Sequence, residues 1–180
     1  GEGFGTAIYR IDTPHAHYHC VLFSASLPPE KRSDRVIADQ WDVSFVLLAG
    51  DVDEQQLADL RRNVPLQEAG RFDARVLVLS RANRSLRNFE RFLGALAEGC
   101  QPDPRQLAEV GYLYRTTAVY GNGKFGIADF SCLQGNADFT QPFSAQMFTV
   151  YLLLHFSIEQ IEHMALARNP QRAVGLDIEL

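Results

Sequence analysis

The stretch Arg75-Val76-Leu77-Val78-Leu79-Ser80-Arg81-Ala82-Asn83-Arg84-Ser85-Leu86-Arg87 decides how the chain is read. Its short apolar run with two valines predicts a buried strand. The segment after it predicts a helix bearing Arg81, Arg84, Arg87 and Arg91, stopped by Gly99 with Pro102 beyond. At about 100° per residue, Arg84, Arg87 and Arg91 fall on the side away from Leu86, Phe89, Phe92, Leu93 and Leu96. Like charges three or four positions apart repel by roughly 0.2 to 0.5 kcal/mol per pair. The row therefore reads either as an ordinary solvated face or as a site for an anion or an acidic partner. Arg81 and Arg84 are the better anion candidates, because ligands of open α/β sheets usually sit at the carboxyl ends of strands.

Working outward, residues 16 to 24 combine aromatic and β-branched residues ahead of Leu27-Pro28-Pro29 and predict another strand. Ser33 or Asp34 marks the start of a short helix through Ala38. Val43 to Leu48, stopped by Gly50-Asp51, predict a second buried strand. Asp53 caps a helix through about Asn63 that turns Leu57 and Leu60 inward. Strand, helix, strand and helix in succession predict at least one βαβ unit.

After Gly99, a shorter helix from Asp103 or Pro104 to Tyr112 leads to Thr116–Tyr120 and Lys124–Ala128. The intervening Gly121-Asn122-Gly123 predicts a β-hairpin near 116–128. Phe143 to about Ala167 form a long C-terminal helix, apolar on most sides over its first half. The expected fold is a single α+β domain over 1–180, with a mixed sheet of about four to six strands.

Composition narrows the function classes. With 180 residues, 46% hydrophobic and 22% charged, the chain has the size and make-up of one ordinary globular domain. No apolar run approaches a membrane span of about 18 residues, and the N-terminus lacks the marks of a signal peptide, so no membrane and a cytoplasmic location are expected. Cys20, Cys100 and Cys132 are widely spaced and indicate neither a disulfide framework nor a cysteine zinc site. Residues 61 to 91 hold eight arginines against Glu68, Asp73 and Glu90, a local excess of +5 that leaves −10 elsewhere within the net −5. Such a distribution steers a small anion locally and disfavours broad nucleic-acid binding.

Three further groups are candidates for chemistry. His15, His17 and His19 alternate, so in an extended strand they share one face, although two imidazoles need another ligand before they hold a metal. His155, Glu159, Glu162 and His163 share one face of the last helix, either as a wet stripe or as acid/base groups; His155 and Glu159 are the catalytic candidates. Arg115 and Lys124 flank the hairpin and would complete a cationic pocket if the Arg81 end of the helix comes close. Gly121 to Lys124 is not a phosphate loop, because Gly-x-x-x-x-Gly-Lys-Ser/Thr is absent. No cofactor is indicated by any motif.

The runs Pro28-Pro29-Glu30-Lys31-Arg32-Ser33-Asp34-Arg35-Val36-Ile37-Ala38, Asn63-Val64-Pro65-Leu66-Gln67-Glu68-Ala69-Gly70-Arg71 and Tyr114-Arg115-Thr116-Thr117-Ala118-Val119-Tyr120-Gly121-Asn122-Gly123-Lys124-Phe125-Gly126 resemble stretches of an uncharacterised family of longer bacterial proteins. The resemblance implies that the sequence continues past Leu180 and that this chain is a fragment. It implies no activity or cofactor. The leading expectation is an enzyme or enzyme fragment that binds a small anionic metabolite through Arg81, Arg84, Arg115 and Lys124. The alternative is a non-catalytic assembly domain, dimerising through the apolar helix of residues 143–158.

Overall fold

In a computed structural model of the chain, residues 5–31, 42–61, 75–82, 85–103, 105–106 and 133–177 are described. The strands are β1 (Gly5–Asp12), β2 (His17–Ser24), β3 (Val43–Ala49) and β4 (Val76–Ala82). They form one sheet in the order β1-β2-β3-β4, with every neighbouring pair antiparallel. The helices are α1 (Glu54–Arg61), α2 (Ser85–Ala97) and α3 (Pro142–Arg168). The class is α+β, and the long C-terminal helix is present. The predicted helix over 33–38, most of the one over 103–112, and the hairpin near 116–128 lie outside the described residues.

The expected βαβ unit is not what β3, α1 and β4 form: β3 and β4 are antiparallel neighbours, joined at the turn end where Ala49 N–H donates to Arg75 C=O at 2.9 Å. The Leu48–Val76 pairing and the Ala49–Arg75 bond set the start of β4 beside the end of β3, so the 26-residue connection returns the chain to the end of the sheet that it left.

Strand alternation divides the core into two layers. Tyr18, Cys20, Phe45 and Leu47 face α2 and α3, where Phe92, Leu93, Leu96, Leu152, Leu153 and Ile161 close over them. Val21, Phe23, Val46 and Leu48 face α1 and pack with Leu60, Val76 and Leu79. Leu77 and Val78 are consecutive yet both belong to the α2/α3 layer, which is possible because the pairing register shifts between Leu47 and Leu48. That irregularity is a β-bulge, and it re-aims one side chain.

Helix α2 ends in the glycine stop that the sequence predicts. Gly99 has φ +78°, its N–H donates to Leu96 C=O at 3.1 Å, and Cys100 N–H donates to Ala95 C=O at 2.9 Å. These two bonds make the Schellman pattern, which satisfies carbonyls the helix would leave unpaired. A Cβ at Gly99 would also stand 2.9 Å from Arg172 O, so the chain after α3 seats directly on this turn. That segment is held by Val174 N–H to Leu96 C=O (3.1 Å), Leu176 N–H to Glu162 Oε1 (2.7 Å) and Arg172 to Glu98 (2.9 Å). Among the described residues, no helix is long and apolar enough to cross a membrane.

Candidate functional site

A cavity of about 370 Å³ opens at one end of the sheet, on the α1 side, lined by Gly5, Thr6, Phe23, Ser24, Ala25, Ser44 and Arg61. Three of these residues are consecutive partners across the strands: Thr6 pairs with Phe23, Phe23 with Ser44, and Ser44 with Arg81. Arg81 thus takes the fourth place in a row whose first three members line the cavity. It lies at the carboxyl end of β4, just before the chain enters α2.

Arg61 reaches the cavity because of how α1 is set. Asp53 accepts Gln56 N–H at 2.7 Å through Oδ1, which fixes the helix start in the manner of an N-cap. Seven residues on, Leu60 is 1% exposed in the α1-side cluster beside Phe23. The next residue is Arg61, the last of the helix, where a cation suits the helix dipole. Its Nη2 donates to Thr6 Oγ1 at 2.9 Å, and its Cζ stands 5.8 Å from the centroid of the Phe23 ring.

The other arginines with a described acidic contact differ from it. Arg10 lies 3.0 Å from Asp12, Arg168 lies 3.4 Å from Glu90, and Arg172 lies 2.9 Å from Glu98. Among the described residues no carboxylate contacts Arg61, whose partners are a hydroxyl and a ring. Ser24 and Ser44 add hydroxyls to the cavity wall, with Ser24 Oγ accepting Gly5 N–H at 3.0 Å. The arrangement offers a guanidinium, hydroxyl groups and an apolar floor, a set suited to a small anion.

The predicted acid/base pair sits in the other layer. His155 Nε2 lies 3.3 Å from Glu159 Oε1 on the outer face of α3, and both side chains are about half exposed. One turn earlier the Tyr151 ring stacks parallel to His155, at 5.9 Å between centroids. Phe156 stacks on Tyr9 at 3.7 Å, joining α3 to β1. Burial, then the charge of Glu159 and of Cys20, push the Tyr9 phenol above its ordinary range, against a hydrogen bond from Gln160. Tyr9 belongs to the layer facing α3, whereas Thr6 and Arg61 border the cavity on the α1 side. Of the remaining members of that helical stripe, Glu162 is occupied by the backbone of Leu176 and His163 is exposed. Arg84, Arg115 and Lys124 lie outside the described residues.

The histidines do not form the expected row. His15 is in the turn before β2, where its N–H and that of Ala16 donate to Thr13 Oγ1 at 3.2 and 3.0 Å. The threonine hydroxyl thereby bends the chain at the point where the alternation assumed an extended strand. His17 and His19 do share a face, with Nε2 of His17 at 3.2 Å from Asp51 Oδ1 and Nδ1 of His19 at 2.8 Å from Gly50 O. Among the described residues, no three His, Cys, Asp or Glu side chains assemble as a metal site.

Sequence reasoning passed over Arg61, Thr6, Ser44 and the whole of β1. The available signals were modest: Thr6 to Ile11 is a β-prone stretch, and Arg61 directly follows the inward-facing Leu60. Protein-family models, curated proteins and solved structures give no match to the chain.

Proposed function

We propose that the protein binds a small anionic metabolite, bearing phosphate or carboxylate, in the cavity beside Arg61. The observation that carries this reading is an arginine without a described carboxylate partner, lining a cavity of about 370 Å³ together with three hydroxyl side chains. Cavities of this order hold small-molecule ligands. A planar guanidinium presents two parallel donors to a carboxylate or phosphate. Arg81 supports the reading through its register position opposite Ser44. Arg84, Arg115 and Lys124 remain candidate members on the grounds of sequence. His155 and Glu159 belong to the opposite layer, so the reading is one of binding and asks no acid/base chemistry of them.

The test is calorimetric titration of inorganic phosphate and simple carboxylates into the protein and into the Arg61→Ala variant. A charge-assisted hydrogen bond contributes about 1.5 to 3 kcal/mol, so the variant should bind roughly 10 to 100 times more weakly. Arg61 is exposed at a helix end, so its melting temperature should hardly move. Equal affinity in the two proteins would remove the reading.

A second reading is favoured by one specific observation. On the first part of α3, Phe143 is 60% and Tyr151 53% exposed, which suits assembly with a second copy of the chain. Sedimentation of the protein and of Tyr151→Glu distinguishes it: a dimer abolished by the substitution supports assembly, and a monomer at all concentrations rules it out.

A further inference from the structure

Resting on that anion-binding reading, we propose that the ligand is an aromatic acid: a planar ring carrying one carboxylate or phosphate, held between the Phe23 ring and the Arg61 guanidinium. The floor of the cavity is not matched to a wholly hydrophilic anion. Phe23 and Ala25 present carbon there, and Ser24 already accepts a backbone N–H from Gly5. A wholly hydrophilic ligand would lose hydration over the Phe23 and Ala25 part of this wall, where it meets only carbon.

The contact between the Arg61 guanidinium and the Phe23 ring needs only a small opening to admit a ring. The guanidinium carbon stands 5.8 Å from the centre of Phe23. A ring lying between them needs two contact distances of about 3.5 to 4 Å, so about 7 to 8 Å in all. Arg61 would therefore have to lift by only about 1 to 2 Å, a displacement its long side chain accommodates by rotamer changes. A guanidinium stacks well on aromatic faces and is weakly hydrated, so the same side chain covers the ring and attracts its acid group.

Thr6 fixes where that acid group sits. Thr6 Oγ1 accepts Arg61 Nη2–H at 2.9 Å. An acid oxygen placed next to Thr6 would take over this donor and receive the threonine O–H in exchange. The hydroxyl thus holds the guanidinium near its working position before the ligand arrives, which lowers the ordering cost of binding.

The decisive experiment uses the unaltered protein and a matched pair of probes, benzoate and cyclohexanecarboxylate, of equal charge and similar bulk but different planarity. Calorimetry should show benzoate binding about tenfold more tightly. Phenyl phosphate should likewise exceed inorganic phosphate. The Arg61→Lys variant, which keeps the charge and loses the plane, should retain carboxylate binding and lose most of the preference for benzoate. Phe23→Leu should do the same, provided its circular dichroism matches that of the parent. Equal affinity for benzoate and cyclohexanecarboxylate, with binding lost in Arg61→Ala, would overturn the aromatic proposal and leave the anion site standing. No binding of any of the four probes would overturn both.

Discussion

Toward α2 and α3, the sheet meets helices of 13 and 27 residues, whose buried side chains close over Tyr18, Cys20, Phe45 and Leu47. Toward α1, among the described residues, it meets a helix of eight residues, whose buried members are Gln56 and Leu60. The larger layer is sealed further by the chain after α3, which crosses the end of α2 at Gly99. The smaller layer ends at Phe23 and leaves a cavity beside it. A helix this short is marginal alone and depends on its cap and its packing. The proposed anion site therefore lies on the face with the smaller described cluster, and most of the described core lies on the other.

The strongest way to break that assignment is to truncate one leucine on each face. Leu93, at 0% exposure, packs where α2 meets the sheet and α3, and Leu93→Ala should cost about 2 to 5 kcal/mol in chemical denaturation. Anion affinity in the folded fraction should stay within about twofold of the parent, because Phe23 of the cavity wall packs in the cluster on the opposite face of the sheet. Leu60→Ala, on the α1 side, should cost toward the lower end of the same range and also weaken anion binding, since Leu60 seats the helix turn that presents Arg61. If Leu93→Ala weakened binding as much as Leu60→Ala, the division between faces would fail.

The sealed layer also has a pH signature. Burial pushes the Cys20 thiol from 9.0 up to about 12, while Cys100 is exposed. A thiol whose folded pKa is raised contributes stability that is fully present below the unfolded value and is lost as pH rises through the folded one. Stability should therefore fall between about pH 9 and 12, by up to about 4 kcal/mol at about 1.4 kcal/mol per unit. Burial raises the Tyr9 and Tyr18 phenols too, which adds to the same slope. Denaturation midpoints measured across this range for the parent and for Cys20→Ala test it. An unchanged slope in the variant would show that Cys20 does not couple to the fold.

Residue types that act locally were readable from the sequence. Asp53 as a cap, Gly99 as a stop, and Phe92, Leu93 and Leu96 as the inner face of α2 all depend on chemistry within a few positions of themselves. The strands β2, β3 and β4 were readable for the same reason, through the short apolar runs Cys20–Phe23, Phe45–Ala49 and Val76–Leu79 that they contain. The strand direction was not readable, because β3 and β4 pair across a connection of 26 residues whose return path no local pattern encodes. The missed strand β1 is largely exposed on alternate residues and so lacks a continuous apolar run. The cavity is harder still, since Thr6, Phe23, Ser44 and Arg61 come from four elements and only the cross-strand register brings them together. The histidine row failed for the opposite reason: its spacing was right for a strand, but Thr13 bends the chain at His15.

The smallest effect is the most specific to the open face. Asp53 Oδ1 holds Gln56 N–H at the start of α1, and removing such a cap costs about 0.5 to 2 kcal/mol. In Asp53→Ala that loss falls on a helix of only eight residues, so it should act on α1 before it acts on the sheet. Amide hydrogen exchange should accelerate in residues 54 to 61 and remain unchanged in α2, because local opening follows local stability. Anion affinity should drop by a few fold, by a smaller factor than in Arg61→Ala, since the guanidinium is still present but is held in place for less of the time. Asp53→Asn should restore both quantities, because an asparagine side-chain oxygen caps almost as well. An affinity unchanged in Asp53→Ala, alongside faster exchange in α1, would mean that Arg61 reaches its ligand without the helix that carries it.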